Sequence, residues 1–247
     1  MASGVAELIA SIDAVADPEA AAILTRFFQV KPGGYGEGDR MIGVKLSTIR
    51  ALIKPYVRAG WPLPELERAL ASPIHEHRLA ILALLAERAI RAAKPRTADP
   101  DESRALYELY LRNTRFVNNW DLVDCSAAPV VGGYLEHRPR DVLRTLVASP
   151  DRWERRIALV ATHWFIRRGE SADIYDLAAR VLTDREDLIH KAAGWMLREA
   201  GKRVDADELL GFLDANAARM PRTMLRYSIE HLPADVRARY LAARRGC

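Results

Sequence analysis

Cysteine is nearly missing from this chain: only Cys125 and Cys247 occur among 247 residues. Two thiols, one of them at the last position, are too few for a disulfide framework, so a reducing compartment is expected. Long apolar runs are missing as well. No stretch of about 18 uncharged apolar residues exists, which excludes a helical membrane span. The first residues, Met1-Ala2-Ser3-Gly4-Val5-Ala6-Glu7, carry no basic region, and Glu7 and Asp13 interrupt the apolar positions behind them. No secretory signal is therefore expected, and the expected location is the cytoplasm. Lysine is scarce: it supplies six of the 37 basic residues, and arginine the other 31. Short β-branched runs bounded by turns, the mark of strands, are not found.

What is present is a chain with 49% hydrophobic and 28% charged residues, enough to bury a continuous core and unlike a disordered segment. The net charge of +4 and a sequence pI near 9.2 hint at a polyanionic partner. The arginine bias suits phosphate, because a planar guanidinium grips it with two donors. An Arg- and Ala-rich composition also follows from genomic base content alone.

Helical periodicity runs from end to end. In Arg155–Arg167, the residues Ile157, Val160, Ala161, Trp164 and Phe165 fall at helical spacing. Similar faces occur in 75–93, 101–113, 171–183 and 187–200. Asp17-Pro18, Ser72-Pro73, Ser149-Pro150 and Leu232-Pro233 read as turns or helix starts, and Gly169 and Gly201 as helix ends. The segment Lys31–Asp39 is the one glycine-rich loop, and 94–100 is a second connection. Helices opening near Asn119, Trp153, Asp187 and Pro221 recur about every 34 residues. Partner helices lie near 101–113, 139–148, 171–183 and 204–216. The predicted fold is an all-α solenoid of helix pairs forming one domain over residues 1–247. Each pair buries its face by stacking on its neighbours, and the second helices line one curved surface.

The candidate chemistry falls on those second helices. Trp120 and Asp124 in Asn118-Asn119-Trp120-Asp121-Leu122-Val123-Asp124 are four apart and share a helix face. An indole face attracts cations, and a neighbouring carboxylate stabilises positive charge or orients water. Asp124 alone reads equally well as a solvated or capping residue, and Asp121 as a charge on the helix N-terminus. One repeat on stands Trp153-Glu154-Arg155-Arg156, and after it Ile189–Glu199 with Trp195 and Arg198. The last such helix carries Arg222 and Arg226. Aromatic and basic side chains interleaved in this way suit phosphate contact and stacking. Trp153 and Trp164 read as core packing, while spacing leaves Trp195 open.

These stretches resemble the AlkD-type DNA alkylation repair proteins, which are HEAT-like-repeat alkylpurine DNA glycosylases. Ile42-Gly43-Val44-Lys45, His75-Glu76-His77-Arg78-Leu79-Ala80 and Arg222–Glu230 are similar too, in family order over nearly the whole chain. The resemblance implies a right-handed superhelix with a concave surface for double-stranded DNA carrying alkylated bases. It implies Asp124 as the catalytic carboxylate, with Trp120 and Trp195 beside the deoxyribose. Arg156 is implied as the cleft arginine, holding phosphate and helping keep Asp124 ionised, and Arg198, Arg222 and Arg226 as further DNA contacts. The implied substrates are purines made cationic at N3 or N7, whose glycosidic bond breaks through an oxocarbenium-like sugar. Such a protein is expected to be a bacterial monomer needing no cofactor, metal or obligate protein partner, associated with the nucleoid when bound to DNA. Phe27 departs from relatives that carry tyrosine there.

Other chemistry reads poorly. Two histidines at i and i+2, His75 and His77, point to different faces of a helix, so packing is favoured over a metal site. The loop at 33–38 lacks the Lys-Ser/Thr pair of a phosphate-binding P-loop. Cys125 reads as a small buried residue. No lysine adjoins Asp124, so no Schiff-base step is expected. The competing function is a non-catalytic helical-repeat module for damaged or distorted DNA, and beyond it a repeat scaffold for proteins.

Overall fold

The segments with a 3.6-residue period form helices, some of which open on a side-chain cap that their sequences supply. A computed structural model describes residues 4–58 and 61–242; Met1, Ala2, Ser3 and Cys247 lie outside the described residues. Among the described residues there is no strand, only an isolated bridge between Arg40 and Ile74. The fold is all-α, and no helix of the described residues is long and apolar enough to cross a membrane. The chain divides into two compact units, residues 1–134 and 135–247.

The first unit holds α1 (Val5–Asp13), α2 (Pro18–Phe27), α3 (Leu46–Ile53), α4 (Leu63–Leu70), α5 (His75–Ala92), α6 (Pro100–Arg112) and α7 (Trp120–Ala127). Asp17 caps α2 through Glu19 N and Ala20 N, with Pro18 in the first turn where its missing N–H costs nothing. Asp99 and Pro100 open α6 in the same way. Over residues 79–86 helix α5 is apolar on every side: Leu79, Ile81, Leu82, Leu84 and Leu85 are all buried, and the helix packs against α3, α4, α6 and α7. That pattern makes it the central helix of the unit. Burying each such leucine or isoleucine contributes about 1.5–3 kcal/mol. Helix α7 runs into a π-helical turn, Ala128–Gly132, and then into α8 (Gly133–Leu135). Pro129 has no N–H for the carbonyl four residues back, which accounts for the departure from α-helical bonding there.

The second unit holds α9 (Asp141–Val147), α10 (Arg152–Ala161), α11 (His163–Ile166), α12 (Ala172–Arg180), α13 (Asp187–Arg203), α14 (Ala206–Asn216), α15 (Arg222–Ser228) and α16 (Ala234–Ala242). Helix α10 packs on α9, and α13 on α10, α12, α14 and α15. Arginines link one repeat to the next: Arg140 to Asp173 at 2.6 Å, Arg144 to Asp176 at 2.9 Å and Arg155 to Asp184 at 2.7 Å. Much of the arginine surplus is thus engaged inside the protein.

Two expectations change. The continuous helix over 155–167 breaks at Thr162, whose hydroxyl turns back onto Leu159 O at 2.7 Å. Gly201 does not end its helix, which continues to Arg203; a Cβ there would lie 2.4 Å from Leu209 Cδ2, so the glycine lets α13 and α14 approach closely.

Candidate functional site

Asp124 and Trp120 stand one turn apart on α7, both partly exposed, while Leu122, Val123, Ser126 and Ala127 on the same helix are buried. The buried side is held by a hydrogen-bond chain. The Ser126 hydroxyl donates to Leu122 O at 2.5 Å, so the fully buried Tyr110 hydroxyl is the donor in its 3.0 Å contact with Ser126. Burial pushes the Tyr110 phenol far up, and it stays a neutral donor. Cys125, expected to be buried, is half-buried; desolvation, together with Asp121 and Asp124, pushes its thiol well up, which favours the protonated form.

Trp120 sits in an aromatic group. Phe28 stacks on it with centroids 5.2 Å apart, and Phe27 meets it edge-on at 6.0 Å. The Trp120 Nε1–H donates to Tyr35 Oη at 3.4 Å, and the Tyr35 hydroxyl donates to Phe27 O at 3.0 Å. Phe27 is 60% exposed although large and apolar. Tyr35 belongs to the glycine-rich loop, so that loop packs onto the helix bearing the carboxylate. Gly36 permits this: a Cβ there would lie 2.3 Å from Phe28 O.

A buried ionic cluster lies at the N-terminus of α7. His75, at the start of α5, has Nδ1 2.8 Å from Asp39 Oδ2 and Nε2 2.8 Å from Asp121 Oδ2. Arg78 reaches Asp39 Oδ1 at 2.5 Å and Asn118 Oδ1 at 3.2 Å. Burial disfavours a charge on His75, but the two carboxylates outweigh it and hold its pKa up at about 9. Burial likewise opposes ionisation of Asp39, and His75 and Arg78 overcome it, so its carboxyl lies below the usual range. At neutral pH the cluster carries two positive and two negative charges. Next to it, Glu76 accepts from the backbone N–H groups of Ile42, Gly43 and Val44.

The remaining expected site residues belong to the second unit. Arg156 on α10 is only 5% exposed and donates from Nη1 to Leu188 O at 2.6 Å, tying α10 to the first turn of α13. Trp195 on α13 is partly exposed, with the His163 ring 5.8 Å away; burial lowers the His163 pKa. Arg198 bridges to Glu230 and Glu199, so its charge is matched within the protein. Arg222 and Arg226 are exposed on α15, and Arg222 donates to Leu241 O at 2.7 Å. Gly194 brings α13 and α15 together, because a Cβ there would lie 2.6 Å from Met224 O and from Tyr227 Cβ. Of the tryptophans read as core, Trp153 is buried, whereas Trp164 is partly exposed, covered by Arg168 at 3.8 Å and bonded to Glu136.

His75 and His77 do diverge: His77 bonds to Ser72 and Asp13. Among the described residues no group of three or more His, Cys, Asp or Glu is arranged to hold a metal ion. Sequence reasoning missed Asp39, Tyr35, Arg78 and Asn118. It singled out His75 but assigned it to packing, and Asp121 to the helix dipole. The available signal was a histidine at a helix start with unpaired acidic residues elsewhere, which is too common to identify partners.

A family model described as DNA alkylation repair enzyme matches residues 8–232. No curated protein sequence matches significantly. Among solved structures, a predicted DNA alkylation repair enzyme from Enterococcus faecalis is similar, with a TM-score of 0.66 and 19% identity. The match covers 89% of this chain and 97% of that one. At that identity the likeness concerns the fold.

Proposed function

Since this chain belongs to the DNA alkylation repair enzyme family, we propose that it is a monofunctional DNA glycosylase acting on purines alkylated at N3 or N7 in double-stranded DNA. The observation that carries this reading is the exposed side of α7, where a carboxylate and an indole stand one turn apart on a helix anchored along its buried face. Alkylation makes the base cationic and a good leaving group. The difficulty left to the enzyme is the positive charge that develops on the sugar as the glycosidic bond lengthens. An ionised Asp124 stabilises that charge and orients the attacking water, and it does so with little reorganisation because its helix is held rigidly. Trp120 offers its face to the sugar, backed by Phe28. In the second unit, Trp195, Arg156, Arg198, Arg222 and Arg226 are assigned to DNA. Arg222 and Arg226 are the accessible cations of this set, whereas Arg198 must exchange a carboxylate for a phosphate.

The test is release of 7-methylguanine from an alkylated duplex by wild type and by Asp124→Asn. Asn keeps the shape but loses the charge, so the variant is expected to lose at least about a hundredfold in rate with DNA affinity retained. Release by the variant at near wild-type rate removes Asp124 from the chemistry. No release by wild type, with tight binding kept, favours a damage-binding module.

A further inference from the structure

His75 holds two segments that the sequence keeps far apart. We propose that it is a positioning residue for the reaction at Asp124: gripped by Asp39 on one ring nitrogen and by Asp121 on the other, it ties the glycine-rich loop to the first turn of α7. The inference rests on the glycosylase reading of Asp124 and deepens it.

The geometry demands both contacts at once. An imidazole with a proton on each nitrogen donates to two carboxylates in opposite directions, whereas a neutral ring donates to one and presents a lone pair to the other. Asp121 lies between Trp120 and Asp124 in sequence, so whatever orients the first turn of α7 orients both. Asp39 is held in turn by Arg78 at 2.5 Å, with Asn118 at 3.4 Å, so the anchor at the loop end is itself fixed. Phe28 completes the connection. Its ring lies 5.1 Å from the His75 ring and 5.2 Å from that of Trp120, so displacing His75 loosens the support of the indole. Misplacement of a catalytic group by about 1 Å costs on the order of a hundredfold in rate, so a clamp at this point acts on chemistry more than on DNA affinity.

The experiment compares full-length wild type, His75→Gln, Asp121→Ala, Asp121→Asn and the His75→Gln/Asp121→Ala double variant. Three readouts are taken: single-turnover release of 7-methylguanine at saturating protein, Kd for the same duplex, and backbone hydrogen exchange of segments 33–39 and 118–124. His75→Gln and Asp121→Ala are each expected to slow release about tenfold to a hundredfold with Kd within about twofold. The double variant is expected to be no slower than the slower single one, because both remove one contact. Asp121→Asn keeps an acceptor oxygen for the ring and is expected to restore most of the rate. Exchange is expected to quicken in the two tied segments. Unchanged single-turnover rates in the folded variants, or losses that simply add, overturn the proposal while leaving the glycosylase reading intact. If His75→Gln does not fold, Asp121→Ala carries the test from the partly exposed side. If wild type releases no base, the glycosylase reading falls, and unchanged exchange at 118–124 in the variants overturns the clamp as well.

Discussion

The pH dependence of folding offers a direct reading of the buried cluster. The perturbation is a rise in pH from 6 to 10. In the folded protein the His75 pKa is held at about 9, against 6.5 for an ordinary histidine. A folded pKa above the unfolded one stabilises the protein fully below pH 6.5, and that stability is lost as pH rises through 9. At 1.36 kcal/mol per pH unit, the difference amounts to about 3 kcal/mol. The groups setting it are Asp121 from α7 and Asp39 from the loop, each 2.8 Å from one ring nitrogen, with Arg78 of α5 paired to Asp39 beside them. Asp39 acts in the opposite sense: its lowered pKa gives stability above the ordinary carboxylate range, lost as pH falls through its folded value. Urea unfolding at several pH values, for wild type and His75→Gln, is the assay. Wild type is expected to lose about 3 kcal/mol relative to the variant across this window. Imidazole NMR of the unaltered protein locates the same titration residue by residue. Parallel stability curves, with a His75 titration near 6.5, would refute the argument that both carboxylates hold a charged ring.

Other expectations concern the remaining contacts. Gly194→Ala places a Cβ 2.6 Å from the Met224 carbonyl oxygen, a backbone atom that moves only if α15 does. Overpacking of about 1–3 kcal/mol is expected to exceed the roughly 1 kcal/mol gained in helix propensity; an unchanged or raised urea midpoint would contradict this. Arg156→Ala is expected to lose about 1–3 kcal/mol of stability with its bond to Leu188 O, and to flatten the salt dependence of DNA binding by about one phosphate. A stability loss with an unchanged salt slope assigns Arg156 to joining α10 and α13 and not to DNA. Phe27→Tyr adds a hydroxyl to a side chain already 60% exposed, and its excision rate is expected to stay within about twofold; a large gain would reveal a missing polar contact.

The sequence by itself determined the all-α class, most helix positions from His75 onward and the shared face of Trp120 and Asp124, while α1, α3 and α4 fall in stretches that it did not single out. Helix signals act over a few residues: Asp17-Pro18 and Asp99-Pro100 start helices locally, and residues four apart meet on any α-helix. The repeat was legible for the same reason, with helices opening at Trp120, Arg152, Asp187 and Arg222 where Asn119, Trp153, Asp187 and Pro221 had marked them. Local signals did mislead at Gly201 and Thr162, where a helix-ending residue served close packing and a helical pattern hid a break. Only the tertiary structure decided the partners. His75 meets Asp39 and Asp121 across 36 and 46 residues, and Trp120 meets Tyr35 across 85. It also showed that Arg198, which the family resemblance offers as a DNA contact, pairs with Glu230, and that Arg156 is nearly buried. Side-chain pairing over such separations depends on how helices stack, and stacking follows from the shapes of whole buried faces, which no short window of sequence contains.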